Sequence, residues 1–379
     1  MENSVNYPRK IWSKNFEIPW TTPVGGSEFY EKRITERFEF SPSSKSNYLK
    51  YLAWMEQGDK TVQIDFAPIS GHVNPNSQCN FRCVMCSVSD FRNGKRCDDM
   101  SLELFEKRLD QLQTLIEISL TGLSELFMMH DGLEEMLRMC VSKKIWTKIS
   151  TNGSLLHQRN WIERIVNLNL DEITISIDGV TKETFESIRR KSNFERVIKN
   201  TIELNEAFYK AGITPKRTKM VTVLQTTNWA QLFDFVPFAK NLGFTSIAFS
   251  LEPFDWGSRS WTERNSKISG ILSEDEASKL VSQGMDYGIE VGFVELVQRY
   301  VAESKNSSLC SWPFSKIFIS SDDRVVPCCH ISNPDHFEIG SGIGESNTVS
   351  DIWFGDDYNR FRQSHLSGNI PDACKSCYK

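Results

Sequence analysis

Three cysteines lie close together early in the chain, with the spacing C-x3-C-x2-C in the stretch "CNFRCVMC" from Cys79 to Cys86. Thiolates bind zinc and iron–sulfur clusters, and both kinds of centre usually take four protein ligands. With only three thiolates, one iron of a cubane cluster would stay open to a ligand that is not protein. Cys97 could close such a site as a fourth ligand. The spacing alone therefore leaves an open cluster, a closed cluster and a zinc site as alternatives.

A second group of cysteines lies near the end of the chain. Cys310 and Cys328 are followed by a long gap and then by the pair Cys374-x2-Cys377. Cys329 is a spare thiol that could replace Cys328 as a ligand. Four thiolates suit a structural zinc ion and a closed iron–sulfur cluster equally well on spacing alone.

The composition is that of an ordinary soluble globular protein, with 379 residues, 39% hydrophobic and 25% charged. A net charge of −5 does not favour nucleic-acid binding. No run approaches the roughly 18–20 apolar residues of a membrane span, and the first residues lack the apolar core of a signal peptide. We therefore expect a cytoplasmic protein, in which clustered thiols indicate metal or redox chemistry rather than disulfides. The isolated Cys97 and Cys140 are interpreted as buried or idle thiols.

Strand-like and helical segments alternate through the middle of the chain. The segment 61–67, "TVQIDFA", alternates like a half-buried strand and leads directly into the first cysteines. Strands alternating with helices predict a parallel α/β fold whose ligands bind at the carboxyl ends of the strands. Six strands are too few for a complete eight-stranded barrel. The later strand-like runs are 115–121, 146–151, 172–178, 220–226 and 245–251.

The two ends of the chain differ from this middle part. Residues 1–60 are polar and irregular, with "SPSSKSN" predicting a loop before a short helical pattern. The capping box Ser273-x-x-Glu276 predicts a late helix, followed by the strand-like "GIEVGFVEL". Beyond about residue 300, turn residues and cysteines predict a small unit that needs a metal for stability. We therefore expect an N-terminal extension (1–60), an α/β domain (61–300) and a cysteine-rich domain (301–379), with the last boundary between about 295 and 305.

The segment "NPNSQCNFRCVMC" resembles the signature of the radical S-adenosylmethionine (SAM) superfamily, with Met85 where an aromatic residue is common. This resemblance implies a partial (β/α)6 TIM-like barrel with the cysteines in the loop after its first strand. It also implies that Cys79, Cys83 and Cys86 hold a [4Fe–4S] cluster whose open iron binds S-adenosyl-L-methionine.

Further segments resemble the SAM contacts of that superfamily, in order and at successive strand ends. They are "TGLSEL", "STNG", "ISIDG", "SIRRKSNFERV" and "LQTTN". In the first of them, Ser124 and Leu126 replace the family's glycine and proline. The residues that the resemblance implies as cofactor-binding are Glu125, Asn152, Ser176, Asp178, Arg189 and Gln225.

The C-terminal part resembles the SPASM/twitch extension of many of these enzymes. The stretch "DIWFGDDYNRFRQSHLSGN" matches the segment that precedes the last cysteine pair in that extension. The cysteines are too few for two clusters, so the twitch form with one auxiliary [4Fe–4S] cluster is implied. Its implied ligands are Cys310, Cys328, Cys374 and Cys377.

The resemblance implies an oxidoreductase that cleaves SAM to a 5′-deoxyadenosyl radical, abstracts a substrate hydrogen atom and passes an electron to the auxiliary cluster. A flavodoxin- or ferredoxin-type donor is the implied electron source, and the expected substrate is a sugar-like or other small natural product. The catalytic acid or base is unknown from the sequence, although Glu252 follows the sixth predicted strand. The alternatives are a peptide maturase, which the lack of a leader-binding pattern in residues 1–60 disfavours, and a non-catalytic iron–sulfur or zinc protein.

Overall fold

The computed structural model describes residues 22–129, 131–251, 253–294, 299–301, 308–340, 342–344 and 346–378. No helix within these residues combines the length and apolar character that a membrane crossing requires.

The described residues form thirteen strands and thirteen α-helices. The strands are β1 (Ser70–Val73), β2 (Arg82–Cys83), β3 (Glu117–Leu120), β4 (Trp146–Thr151), β5 (Glu172–Ser176), β6 (Arg189–Arg190), β7 (Thr218–Val223), β8 (Ser246–Ser250), β9 (Glu290–Val294), β10 (Arg299–Val301), β11 (Ser308–Cys310), β12 (Lys316–Ile319) and β13 (Val325–Val326). The helices are α1 (Gly26–Phe40), α2 (Pro42–Met55), α3 (Leu102–Gln111), α4 (Leu133–Ser142), α5 (Trp161–Leu168), α6 (Lys182–Ile188), α7 (Phe194–Lys210), α8 (Phe235–Asn241), α9 (Arg259–Ser266), α10 (Glu274–Tyr287), α11 (Trp312–Ser315), α12 (Val349–Trp353) and α13 (Asp356–Leu366).

Nine of the strands form one sheet in the order β13-β12-β1-β3-β4-β5-β7-β8-β9. All neighbours in it are parallel except the terminal pair β12·β13. The helices between the strands bury their apolar faces in one large hydrophobic cluster. Within the described residues β9 and β13 do not pair with each other, so the sheet does not close. The predicted α/β class with a mostly parallel sheet is confirmed, and this open sheet is compatible with the predicted partial (β/α)6 barrel. Strands β9 and β12 extend the six strands β1, β3, β4, β5, β7 and β8.

The prediction of a first strand at 61–67 is wrong, because the strand lies at Ser70–Val73. Ile64 and Phe66 are buried as the alternation indicated. However, side chains rather than a neighbouring strand satisfy the backbone of this segment. The Asn47 side-chain amide accepts a hydrogen bond from the Ala67 N–H and donates one to the Ala67 carbonyl. The Trp353 indole N–H donates to the Phe66 carbonyl at 2.9 Å.

The expectation of irregular structure before residue 60 is wrong where α1 and the first turns of α2 form, whereas the short helical pattern predicted after them is confirmed as part of α2. "SPSSKSN" begins a helix instead of forming a loop: Ser41 caps α2 by accepting from the Ser44 N–H, and Pro42 occupies the first turn. Helix α1 packs on the amino-terminal ends of the strands, where the Tyr30 and Trp146 rings lie 4.9 Å apart. The two helices therefore cover the end of the sheet opposite the cysteine loop.

The C-terminal residues are built into the main sheet, because β12 pairs with β1 from Ser70↔Lys316 to Val73↔Ile319. The turn between β12 and β13 is held by a bidentate ion pair from Arg96 to Asp322, with bonds of 2.8 and 2.6 Å. The predicted boundary between 295 and 305 falls mostly outside the described residues. The three-domain division remains a prediction.

Candidate functional site

The first three cysteines lie in the loop after β1, where β2 pairs with the distant β6 in a short antiparallel ribbon. The backbone N–H of Phe81 donates to the Cys79 sulfur at 3.4 Å. Burial raises the pKa of the Cys79 thiol well above its usual value, and the neighbouring Cys83 and Cys86 raise it further. Burial likewise raises the pKa of Cys86 to about 12. Three crowded, buried thiols ionise readily only beside a cation, and an iron–sulfur cluster supplies that positive charge.

Cys97 does not join this set. Its sulfur lies 3.1 Å from the Ser321 hydroxyl, and the Ser77 hydroxyl donates to it at 3.4 Å. The thiol therefore faces the β12–β13 turn, and the structure assembles three thiols rather than four. Cys140 is fully buried in α4, as expected of an idle thiol.

Glu125 and Asn152 organise the strand ends beside the cysteines. The Glu125 carboxylate accepts from the Thr151 hydroxyl and from the Asn152 N–H, both at 2.6 Å. The Asn152 side-chain amide donates to Asn80 at 2.9 Å and approaches the Cys79 sulfur at 4.0 Å. A cluster bound by Cys79 would therefore lie next to the hydrogen-bonded side chains of Glu125 and Asn152.

Asp178 and Arg189 form a buried ion pair with an N–O distance of 2.7 Å. Arg189 also lies opposite Cys83 in the ribbon, with a guanidinium nitrogen 4.0 Å from the Cys83 sulfur. The other oxygen of Asp178 accepts from the Val223 N–H. Asp178 thus holds Arg189 against the cysteine set, while the buried Nε–H of Arg189 keeps no partner among the described residues. Ser176, two residues before Asp178, is half-buried at the end of β5.

Gln225 is the clearest sign of a bound molecule at these strand ends. Its side chain is fully buried, yet neither its amide oxygen nor its nitrogen has a partner within the described residues. The Asn228 side chain accepts from the Gln225 backbone N–H at 2.9 Å and donates to the Asp178 carbonyl, which fixes the loop. Buried polar groups are normally hydrogen-bonded, so a polar ligand such as SAM fits here.

The four predicted auxiliary cysteines form a second set. The buried Cys328 thiol has its pKa raised by burial, and among its neighbours are Cys310, Cys374 and Cys377. Burial raises the pKa of Cys329 to about 11, and Cys329 neighbours Cys328, Cys310 and Lys316, whose positive charge acts to lower that pKa. Cys374 and Cys377 are among the neighbours of Cys328 and not among those of Cys329, so Cys328 stays the predicted ligand.

In the part of the chain that the structure describes, no three His, Cys, Asp or Glu side chains are arranged to hold a single metal ion. Zinc needs its ligands around one atom, whereas the thiolates of a cubane bind different irons.

The two sets are connected by the segment after β8. The Trp256 indole N–H donates to the Met85 carbonyl at 2.8 Å, and its ring packs in a cluster with Cys79 and Cys86. The Phe254 ring stacks on His330, two residues after Cys328 of the second set, with 4.1 Å between ring centroids. Trp256 and Phe254 contact each other at 5.3 Å between centroids, so three rings bridge the sets.

Asp255 lies within this bridge and interacts electrostatically with His330 and with Cys374. Sequence reasoning missed Phe254, Asp255 and Trp256 and noted only the preceding Glu252, which lies outside the described residues. The available signal was the position of "PFDW" just past a strand's carboxyl end, where ligands bind in parallel α/β folds.

Comparison with known families gives two matches. The family described as "Radical SAM superfamily" matches residues 73–238, and the SPASM family, described as "Iron-sulfur cluster-binding domain", matches residues 310–378.

Curated relatives include GTP 3′,8-cyclase of Helicobacter pylori (strain HPAG1), which is 27% identical over 281 residues, covering 68% of this chain and 79% of the relative. The probable GTP 3′,8-cyclase of Saccharolobus solfataricus is 24% identical, covering 66% of this chain and 80% of the relative.

Similar solved structures include Streptococcus suis SuiB bound to precursor peptide SuiA, with a TM-score of 0.62, 16% identity, and coverage of 84% of this chain and 71% of SuiB. Native anSMEcpe with bound AdoMet has a TM-score of 0.54 and 17% identity, covering 79% of this chain and 84% of that protein. At these identities the likeness concerns the fold alone.

Proposed function

This chain belongs to the radical SAM superfamily and carries a C-terminal SPASM domain, and on that premise we propose that it is an oxidoreductase that dehydrogenates a small, sugar-like substrate. Its cofactors are S-adenosyl-L-methionine and [4Fe–4S] clusters. We assign the SAM-binding cluster to Cys79, Cys83 and Cys86, and the auxiliary cluster to the second cysteine set.

The second cysteine set is the observation that supports oxidation. Four thiolates from Cys310, Cys328, Cys374 and Cys377 would occupy every iron of a cubane, which leaves no iron for a substrate and suits electron transfer. The ring bridge of Trp256, Phe254 and His330 keeps this set in contact with the first one.

When bound, SAM and the first cluster supply the chemistry that removes a hydrogen atom from an unactivated C–H bond. Oxidation of a secondary alcohol to a ketone removes one hydrogen atom, one proton and one electron in total. Asp255 lies between the cysteine sets, and we propose that its carboxylate accepts the proton that the substrate loses. The auxiliary cysteines would hold the acceptor for the electron.

Several residues would hold SAM itself. Gln225 offers a buried amide without a partner in the described residues, and Arg189 offers its free Nε–H. Glu125 and Asn152 would contact SAM beside Cys79, and Asp178 orients Arg189 through their ion pair. We also propose that Ser176, at the carboxyl end of β5, contacts SAM.

A small substrate is supported by the curated relatives, which are named for acting on GTP, a small polar molecule. Peptide modification is the second candidate, favoured by the fold shared with SuiB, whose structure contains a precursor peptide.

The test is anaerobic reconstitution with iron and sulfide, followed by iron counting and a 5′-deoxyadenosine assay with dithionite. We expect about eight irons, four for each cluster, and reductive cleavage of SAM. Deuterated aminocyclitols and sugars, compared with synthetic peptides, then show which class transfers deuterium to 5′-deoxyadenosine. Bound zinc without any SAM cleavage would exclude the proposed function.

A further inference from the structure

Two arginines face each other beside the first cysteine set. In the β2·β6 ribbon, Arg82 pairs directly with Arg190, one position from the Cys83↔Arg189 pair. Like charges directly opposite each other in an antiparallel ribbon destabilise it. A negatively charged partner on this ribbon would offset that repulsion.

Two more cations lie on adjacent turns. Lys191 follows Arg190 and is exposed, as Arg190 is. Arg92 is exposed in the turn Arg92–Gly94, which packs so closely on Arg82 that a Cβ at Gly94 would lie 2.2 Å from the guanidinium carbon. We call Arg82, Arg92, Arg190 and Lys191 the basic edge. None of the four forms an ion pair with any described residue, whereas the neighbouring Lys95 is paired with Asp98 at 2.7 Å.

The basic edge lies directly over the first cysteine set. A guanidinium nitrogen of Arg82 donates to the carbonyls of Cys79 and Phe81, each at 2.7 Å. A molecule bound to the basic edge would therefore lie next to the loop that holds the cluster. The chain as a whole carries a net charge of −5, so the basic edge is a positively charged patch on a protein whose net charge is negative.

We propose that the basic edge is the docking surface for an acidic one-electron carrier protein that reduces the first cluster. This inference rests on the proposed function, in which the oxidised first cluster must take one electron from outside before it can cleave SAM. One electron passes from the reduced carrier to the cluster, so the carrier is oxidised and the cluster is reduced.

The arrangement of the cations favours a protein partner. Three of the cations are exposed, on the ribbon and on a neighbouring turn, and the fourth, Arg82, donates to backbone carbonyls of the cysteine loop, which suits an extended surface rather than a pocket for a small anion. Nucleic acid is disfavoured by the net negative charge of the chain. Complementary charge mainly accelerates association, and it does so most strongly at low ionic strength.

The test uses the reconstituted holoenzyme and an acidic flavodoxin, reduced to its hydroquinone, as the probe. Stopped-flow bleaching of the cluster gives the second-order rate constant of reduction. In the charge-reversed variant R190E/K191E, we expect this rate constant to fall about tenfold or more at low salt, and its salt dependence to flatten. The matched control K199E/K210E makes the same charge change on exposed positions of α7 and should stay within about twofold of wild type.

Cleavage of SAM with dithionite separates this inference from the proposed function. R190E/K191E should cleave SAM normally with dithionite, because a small reductant needs no docking surface. Equal flavodoxin rates in wild type and R190E/K191E would overturn the docking role, as would loss of dithionite-driven cleavage in the variant. Wild-type enzyme that fails to cleave SAM even with dithionite would instead refute the proposed function.

Discussion

The indole N–H of Trp256 donates a 2.8 Å hydrogen bond to the carbonyl oxygen of Met85, the residue before Cys86. Trp256 does this with a φ of 56°, a left-handed backbone conformation that is a true outlier for a bulky residue. The next residue, Gly257, must be glycine, because its φ is 65° and a Cβ would lie 2.8 Å from Ile331. The strained turn packs the Trp256 ring against the cysteine loop, while the Trp256 backbone carbonyl lies 3.0 Å from a ring nitrogen of His336.

Trp256→Phe should loosen the first cluster site. The substitution keeps a ring but removes the hydrogen bond, which is worth about 1 kcal/mol. We expect loss of the first cluster to a chelator to become about fivefold faster, measured by absorbance. The control is Trp161→Phe, because the buried Trp161 indole N–H has no partner within the described residues. Equal rates of cluster loss in the two variants would contradict this role.

Replacing a cysteine of the first set should abolish SAM cleavage, whereas replacing Cys97 should not. Cys79→Ala, Cys83→Ala or Cys86→Ala removes one of three thiolates from the cluster. Cys97→Ala removes only the contacts with Ser77 and Ser321. The readouts are 5′-deoxyadenosine formed with dithionite and iron per chain. A Cys97→Ala enzyme without cleavage would show that Cys97 is a ligand.

The auxiliary site should depend on Cys328 and not on Cys329. Cys328→Ala should lower the iron content from about eight to about four per chain and stop substrate oxidation, while SAM cleavage with dithionite persists. Cys329→Ala should keep about eight irons, since Cys374 and Cys377 are among the neighbours of Cys328 and not among those of Cys329. Circular dichroism checks that both variants are folded. The reverse pattern of iron loss would assign the ligand to Cys329.

Gln225→Leu should weaken the binding of SAM. The leucine is similar in volume but offers no hydrogen bond, so we expect the dissociation constant for SAM to rise about tenfold, equivalent to about 1.4 kcal/mol. Calorimetric titration of the oxidised holoenzyme measures this without turnover. The same substitution at the exposed Gln363 of α13 is the control. An unchanged affinity for SAM in Gln225→Leu would show that the Gln225 side chain does not bind SAM.

His365 should make the protein less stable at mildly acidic pH. Burial lowers the pKa of His365 from its usual 6.5 to about 4. Below pH 6.5 the unfolded chain therefore binds a proton that the native protein does not, and the free energy of unfolding falls as the pH drops towards 4. At pH 5.5 the loss is about 1 kcal/mol relative to pH 7.5.

His365→Asn keeps a polar group opposite the Tyr378 hydroxyl, which lies 2.6 Å from the His365 ring nitrogen, but it removes this titration. Denaturant unfolding of the holoenzyme at pH 7.5 and 5.5 measures the difference. The variant should lose about 1 kcal/mol less than wild type between these pH values. An identical pH dependence would show that His365 does not contribute.

The sequence by itself determined the features that depend on neighbouring residues. The thiol spacing of Cys79, Cys83 and Cys86, the alternation of strands with helices, and the capping box at Ser273 are all local patterns. Local periodicity and capping reflect backbone geometry over a few residues, so they were readable without a structure. The same reasoning failed at 61–67, where distant side chains, not an adjacent strand, satisfy a backbone that alternates like a strand.

Only the tertiary structure decided which distant residues meet. In the folded protein Cys97 contacts Ser321, Cys328 lies near Cys374, and Arg189 approaches Cys83. The tertiary structure also placed Trp256 against Met85, in a segment where the sequence had singled out only Glu252. These contacts join residues far apart in the chain, and they arise because packing of the sheet and its helices brings their backbones together. No local pattern encodes such a meeting, so the spacing of the ligands was predictable while the groups around them were not.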